Sequence, residues 1–273
     1  MSSARNSRRS RRNRGRFSFL FKLLAIIAIL AALTMGATVF FQLEQVVVEG
    51  NSRYTAQEVE EASGLQPGDN LFRMNKNRVA GDIREKLPYV EGVSIVRNFP
   101  STIVITVREW DAAAKVEPTQ LEDKELSAGL EEGEAKPEPA DQSWLISVKG
   151  KLLEAAGESS TAIRVSGLSA LSPRAGTQLA VPQSQQERLN ALLAILAVLE
   201  ERGSIGLVSE IDLSSVTQVR LRYDGRFWVK LPVVCDFTYK ITALETVVAQ
   251  REPYEKGTMD LTREDYTVIF SPE

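Results

Sequence analysis

From Leu23 to Phe41 the chain reads LLAIIAILAALTMGATVFF, 19 residues without a charge. No other feature restricts the fold as much. As a helix rising ~1.5 Å per residue, the run is about 28 Å long, close to the ~30 Å hydrocarbon core of a bilayer. Residues 1–22 carry Arg5, Arg8, Arg9, Arg11, Arg12, Arg14, Arg16 and Lys22 and no acid, and the first acid of the chain is Glu44. Basic residues at one end of a span hold that end in the cytoplasm. The expected topology is therefore a cytoplasmic tail over 1–22, a transmembrane helix over 23–42, and the remainder outside the cytoplasm. A cleaved signal peptide would have a shorter apolar core and a small-x-small exit. This run instead ends in TVFFQLEQ, and Thr34 and Gly36 make a poor cleavage site. A buried globular helix would not be apolar on every face behind an Arg-rich flank. A nucleic-acid arm is not needed to explain the tail, because topology, with some binding to anionic lipid, accounts for it.

Composition then narrows the function. The chain has 33 basic and 36 acidic residues; setting aside the eight basic residues of the tail leaves 25 against 36, a net charge of −11. An acidic ectodomain does not resemble a nucleic-acid binder. About 230 residues follow the span, enough for one large or two small domains. Cys235 is the single cysteine, so no disulfide forms within the chain, and its setting in LPVVCDF reads as a small buried hydrophobe. Histidine is absent. That removes Ser-His-Asp and Cys-His catalysis and His-containing metal sites. No serine has a lysine three residues on, and no phosphate-loop motif is present. Catalysis by carboxylates alone stays open, although no spacing singles out a pair. The expectation is a chain without cofactor, metal or small-molecule substrate.

Residues 43–111 read as a compact β-α-α-β-β unit. LEQVVVEG is a short β-branched run closed by Gly50-Asn51. In TAQEVEEASG, Thr55 and Glu58 fit a capping box, and Gly64 stands where a helix would stop. In NKNRVAGDIREKLP, Asn75 fits an N-cap, Pro88 marks the exit, and Val79, Ile83 and Leu87 recur every four residues. VEGVSIVRNFP and STIVITVREW follow as two strands; in the second, Ile103, Ile105 and Val107 alternate with Val104, Thr106 and Arg108. The expected fold is two helices on one face of a three-stranded sheet.

Residues 117–142 carry nine acids, two lysines and little apolar surface, which predicts a disordered insertion. Their spacing does not match a Ca²⁺ loop. Beyond them Trp144, Ile146 and Val148 alternate, Lys149-Gly150 turns the chain, and Leu152-Leu153 begins the return of a hairpin. SGLSALSPRAGTQLAVP reads as loop-rich. ERLNALLAILAVLEER reads as a helix capped by Ser184 and Glu187, with Leu189, Leu192, Leu193, Leu196 and Leu199 on its apolar face. Its apolar core is too short for a second span. Strands are expected in LVSEIDLS, TQVRLRY, RFWVKLP and DYTVIFSP, with a tight turn at Asp224-Gly225 and a further helix in FTYKITALETVVAQRE.

Several short strings carry a resemblance. They are Val48-x-Gly50-Asn51, Gly68-x-Asn70-Leu71-Phe72, Leu87-Pro88-x-Val90, Val96-Arg97, Phe99-Pro100-Ser101-Thr102 and Val107-x-Glu109. Directly after a basic tail and one span, they resemble the POTRA domain of the bacterial cell-division proteins FtsQ and DivIB. Glu210-Ile211-Asp212-Leu213, Asp224-Gly225, Lys240 ahead of an apolar helix, and Met259-Asp260-Leu261 resemble the β-domain of the same family, here over 112–273. The family's apolar-Asp-Leu-Arg motif departs at its last residue, which is Thr262. The implied fold class is α+β: a transmembrane helix, a small POTRA-like domain, then a mixed β-domain with packing helices. The implied function is a non-enzymatic divisome scaffold that binds FtsB/DivIC-like and FtsL-like partners and helps couple septal peptidoglycan synthesis to division. The implied location is the cell membrane at the septum. Tyr266, Thr267, Val268, Ile269 and Phe270, read as a last strand near the C-terminus, are the expected partner-binding residues, because a terminal strand at a sheet edge offers unpaired backbone groups. The alternative is an envelope sensor or enzyme with a carboxylate site.

Overall fold

A computed structural model describes residues 14–119, 137–157, 160–263 and 267–273. Helix α1 spans Arg14–Phe40, so it starts within the basic tail, and its Phe19–Ala37 stretch is long and apolar enough to cross a membrane. None of that stretch is buried against protein.

The first sheet has three strands in the order β1 (Gln45–Glu49), β3 (Thr102–Glu109), β2 (Val90–Asn98), with β1 parallel and β2 antiparallel to β3. Helices α2 (Ala56–Ser63) and α3 (Lys76–Lys86) join β1 to β2. The Thr55–Glu58 capping box forms, Gly64 closes α2 in the left-handed conformation, and the Asn75 side chain caps α3. Val59, Val79, Ile83 and Leu87 meet Ile95, Ile103, Ile105 and Val107 in one core. This is the β-α-α-β-β unit expected from the sequence.

The second sheet has nine strands. β4 (Ala114–Val116), β5 (Trp144–Ile146), β6 (Leu152–Ala155), β7 (Ile163–Ser166), β8 (Val208–Asp212), β9 (Gln218–Tyr223), β10 (Phe227–Pro232), β11 (Gly257–Asp260) and β12 (Ile269–Pro272) lie in the order 12-11-10-9-8-7-4-5-6. Parallel neighbours need a crossover. Helix α4 (Gln186–Glu201) carries β7 to β8, and α5 (Phe237–Val248) carries β10 to its parallel partner β11. Both helices cover the sheet through Leu192, Ile195, Leu196, Ile241 and Leu244, against Val165, Ile211, Leu221, Val229 and Met259. The buried face of α4 is wider than its leucine stripe, since Ala191, Ile195 and Val198 are also buried and Leu193 is only partly so.

Three details differ from the sequence reading. The Ser184–Glu187 capping box is not the start of α4: a 3₁₀ turn at Gln183–Gln185 precedes it, and Gln185 is the N-cap without a side-chain cap. The Gln185 side chain instead accepts from the Ser169 amide at 2.8 Å, because tying down the preceding loop satisfies a buried group. Strands β4, β7 and β11 were not expected; each is three or four residues long, too short for a periodic pattern to register. The flanks of the acidic segment are pinned rather than free: Glu117 donates to Val165 and Ala140 to Ala170 through backbone bonds. Residues 120–136, the bulk of the expected disordered insertion, lie outside the described residues.

The two sheets meet through the β5–β6 hairpin. Tyr89, Leu145 and Leu153 are buried together, with Tyr54, Trp110 and Ala112 against them. The Tyr89 hydroxyl donates to Glu154 Oε1 at 2.7 Å, Arg53 pairs with the same oxygen at 2.8 Å, and its guanidinium lies 3.8 Å from the centre of the Tyr89 ring. Burial, then the bond to Glu154, pushes the Tyr89 pKa up, so the hydroxyl stays a donor.

Candidate functional site: the C-terminal sheet edge

Among the described residues β12 pairs only with β11, antiparallel, with Gly257 opposite Pro272, Thr258 opposite Ser271, Met259 opposite Phe270 and Asp260 opposite Ile269. It is the last strand of the sheet, so its other side is an edge among the described residues. The strand is shorter and later than expected. Of the five predicted residues, Ile269 and Phe270 lie on it, Thr267 and Val268 precede it, and Tyr266 lies outside the described residues.

The pairing decides which groups face outward. The Glu273 N–H donates to the Lys256 carbonyl at 3.2 Å. Antiparallel ladders alternate hydrogen-bonded and non-hydrogen-bonded pairs, so Ser271 and Ile269 also turn their backbone groups toward β11. Phe270 therefore presents its N–H and C=O to the open edge. Pro272 presents a carbonyl only, having no N–H. Proline on an edge blunts unspecific strand pairing, and here it confines the outward donor of β12 to Phe270.

Side chains sort by face in the same way. Phe270 shares the core face with Met259, meets Phe227 edge-on at 6.1 Å, and lies under the Arg251 guanidinium at 4.4 Å. Ile269 and Ser271 share the opposite face with Asp260 and Thr258. Farther in on that face, Trp228 lies between Arg220 and Arg222, whose guanidinium carbons are 5.3 and 5.2 Å from its ring centre. Gly257 holds the edge in place. A Cβ there would stand 2.3 Å from the Ser271 oxygen, at φ 156°, so only glycine lets β12 come this close.

The approach to β12 is fixed from below. Lys240, buried on the first turn of α5 rather than ahead of the helix, donates from Nζ to the Arg263 carbonyl at 2.6 Å. Asp260 accepts from the Thr262 hydroxyl at 2.6 Å and amide at 2.9 Å, and these bonds, the hydroxyl first, hold its pKa down. Thr262 thus closes the Asp-Leu motif locally, where the family resemblance would place an arginine. Sequence reasoning missed Gly257 and Arg251. A glycine before Thr-Met-Asp could have signalled a close approach, but four residues did not show as a strand.

The Glu109 carboxylate, elsewhere in the chain, has structural work. Glu109 lines an open concavity with Gly50, Tyr89 and Trp110, and it accepts from the amides of Ser52, Arg53 and Tyr54 and from the Ser52 hydroxyl at 2.7–3.2 Å. Burial raises its pKa, but those four bonds outweigh it and the net shift is downward. Among the described residues no group of three or more His, Cys, Asp or Glu could hold a metal ion. Cys235 is half-buried against the core, and burial pushes its thiol pKa up, which suits a packing role.

Comparison with known proteins agrees with this architecture. Residues 41–110 match the FtsQ-type POTRA domain. The chain is 24% identical over 226 residues to the cell division protein DivIB of Clostridium acetobutylicum, covering 82% of this chain and 80% of that one. It is 22% identical over 238 residues to DivIB of Clostridium botulinum, covering 85% and 82%. It is 34% identical over 83 residues to FtsQ of Syntrophotalea carbinolica, covering 30% and 29%. With an FtsQ-type POTRA domain behind an apolar N-terminal helix, and relatives matched along most of its length, the chain is similar to the FtsQ and DivIB cell-division proteins.

Proposed function

We propose that this chain is a non-enzymatic scaffold of the divisome. It sits in the cell membrane with its basic tail in the cytoplasm and its two sheets outside, concentrated at the septum. It binds FtsB/DivIC-like and FtsL-like single-pass partners and so helps link septal peptidoglycan synthesis to division. The observation that carries the binding reading is the open edge of β12, which among the described residues pairs on one side only. A partner segment added there would bond to the Phe270 backbone, with its alternate side chains reading Ile269 and Ser271. The reading of 43–111 and 112–273 as separate working units, with the acidic segment as an insertion, belongs to the same proposal.

Deleting Asp265–Glu273 is expected to leave membrane insertion intact and abolish co-purification with the partner pair. A finer test compares Phe270→Pro with Phe270→Ala. Both lose the ring, but only proline loses the outward N–H. Binding should fall further in F270P; equal binding by the two variants would exclude strand addition at this residue. A uniform membrane signal from an N-terminal fluorescent fusion, with no enrichment at the septum, would count against the division role.

A further inference from the structure

The end of α1 is tied to the first sheet without a linker. Within six residues of Ala37, the chain makes a run of main-chain bonds into that domain. The Leu71 amide donates to the Phe41 carbonyl at 3.0 Å, the Leu43 amide to Asp69 at 2.8 Å, and the Gly68 amide to Leu43 at 2.8 Å. Glu44 then donates to Ser101 at 2.8 Å, at the β2–β3 turn. Two loops of the domain are thereby held against the helix end.

Each loop brings an aromatic ring. Phe72 follows the first, and Phe99 opens the second. Phe41 meets Phe72 edge-on at 4.8 Å and Phe99 at 5.4 Å, while Phe72 and Phe99 stack at 5.1 Å. Phe40 adds a fourth ring, 5.1 Å from Phe41. The cluster is not a domain core. Phe40 is 67% exposed, Phe72 55% and Phe99 49%.

We propose that these four rings form a collar seated in the outer membrane–water interface, so that the base of the first domain rests on lipid. This rests on α1 being the single span. Phe40 stands three residues past the end of the Phe19–Ala37 stretch, about 4.5 Å along the helix axis. The interfacial layer on each side of the hydrocarbon core is about 5–7 Å deep. Phe40 and Phe41 therefore fall in that layer, and Phe72 and Phe99, in contact with Phe41, are brought to it. Aromatic rings favour this depth, where an apolar body meets hydrated headgroups. The main-chain bonds stop the domain from lifting its rings away. The consequence is a fixed posture: the domain cannot swing freely on its anchor, and everything built on it inherits a defined direction relative to the bilayer.

The test places the photo-crosslinker p-benzoylphenylalanine, which keeps an aromatic ring, singly at Phe72, Phe99, Val39 and Asp111 of the full-length protein. Val39 lies in the helix, 67% exposed, and reports the span itself. Asp111 lies just past the far end of β3, roughly 25–30 Å from Phe99 along the strand direction. The purified protein goes into phosphatidylcholine–phosphatidylglycerol vesicles, and lipid adducts are counted by mass spectrometry after irradiation. Adduct yield at Phe72 and Phe99 is expected to approach that at Val39 and to exceed that at Asp111 several-fold. Yields at Phe72 and Phe99 no higher than at Asp111, with Val39 still reacting, would overturn the collar and leave the span standing. Failure at Val39 as well would overturn the span. In cells, cross-linking at Phe72 or Phe99 to a protein in place of lipid would assign the rings to a partner helix and likewise overturn the proposal.

Discussion

Gly257 offers the sharpest test of how the edge is held. In Gly257→Ala the new Cβ would stand 2.3 Å from the Ser271 oxygen, 2.9 Å from Pro272 Cα and 3.0 Å from a Phe270 ring carbon. The first two obstacles are backbone and cannot rotate away. Carbon–oxygen contacts settle near ~3.3 Å, so β12 must retreat by about 1 Å. That stretches the inward-facing bonds of Ile269, Ser271 and Glu273 past the ~3.2 Å limit of a good N–H···O bond. Weakened backbone bonds of this kind are worth ~0.5–1.5 kcal/mol each. Overpacking generally costs about 1–3 kcal/mol, so a local cost of about 2 kcal/mol is expected. An effect of about 2 kcal/mol raises the undocked population of β12 by roughly 30-fold. Hydrogen–deuterium exchange should show it directly. The amides of Ile269, Ser271 and Glu273 should exchange roughly 30-fold faster, while those of Leu221 and Val229, deeper in the sheet, keep their parental rates. Partner binding should weaken in step. Unchanged protection of Ile269 and Ser271 in the variant would refute the close approach as the device that seats the strand.

Other consequences follow from the same geometry. Leu153→Ala opens a cavity where the two sheets meet and should lower unfolding free energy by about 2–5 kcal/mol; a loss below about 1 kcal/mol in chemical denaturation would mean that the junction is not packed as described. Lys240→Met removes the charged donor from the Arg263 carbonyl, a bond worth about 1.5–3 kcal/mol, and should speed amide exchange around Leu261–Arg263 without melting α5; slow exchange there would assign the support to another group. Glu109 has a depressed folded-state pKa, so its stabilisation is fully present above the unfolded value of ~4.3 and is lost as pH falls through the lower folded value. Glu109→Gln should therefore be less stable than the parent at pH ~7, with the gap closing below pH ~4; a gap that persists in acid would show that the charge is not the source.

The first sheet was legible because its signals are local. Thr55 and Glu58 cap a helix within four residues, Asn75 caps the next, and Ile103, Ile105 and Val107 alternate along one strand. The turn at Asp224-Gly225 was legible for the same reason: both residues adopt positive φ, 51° and 61°, as that dipeptide predicts for a tight hairpin. The start of α4 misled because two devices competed. Ser184 and Glu187 have capping-box spacing, yet Gln185 is drawn to Ser169, a partner 16 residues away that no local window contains.

The apolar run and its basic flank were likewise decided by the sequence, since a segment with no charge for 19 residues leaves a helix few places to go. What tertiary structure alone decided is which strand stands at the edge. β11 is four residues long and reaches its parallel place beside β10 only because α5 carries the chain across. β12 then returns outside it, and one hydrogen-bonded contact, Glu273 to Lys256, sets which of its backbone groups face out. The collar at the membrane end has the same origin. Phe41, Phe72 and Phe99 are distant in sequence, and the folding of two loops onto one helix end brings their rings together. Pattern within a segment is written in neighbouring residues. Which segments become neighbours is settled by burial of the whole core, and both the proposed docking edge and the proposed membrane collar depend on that.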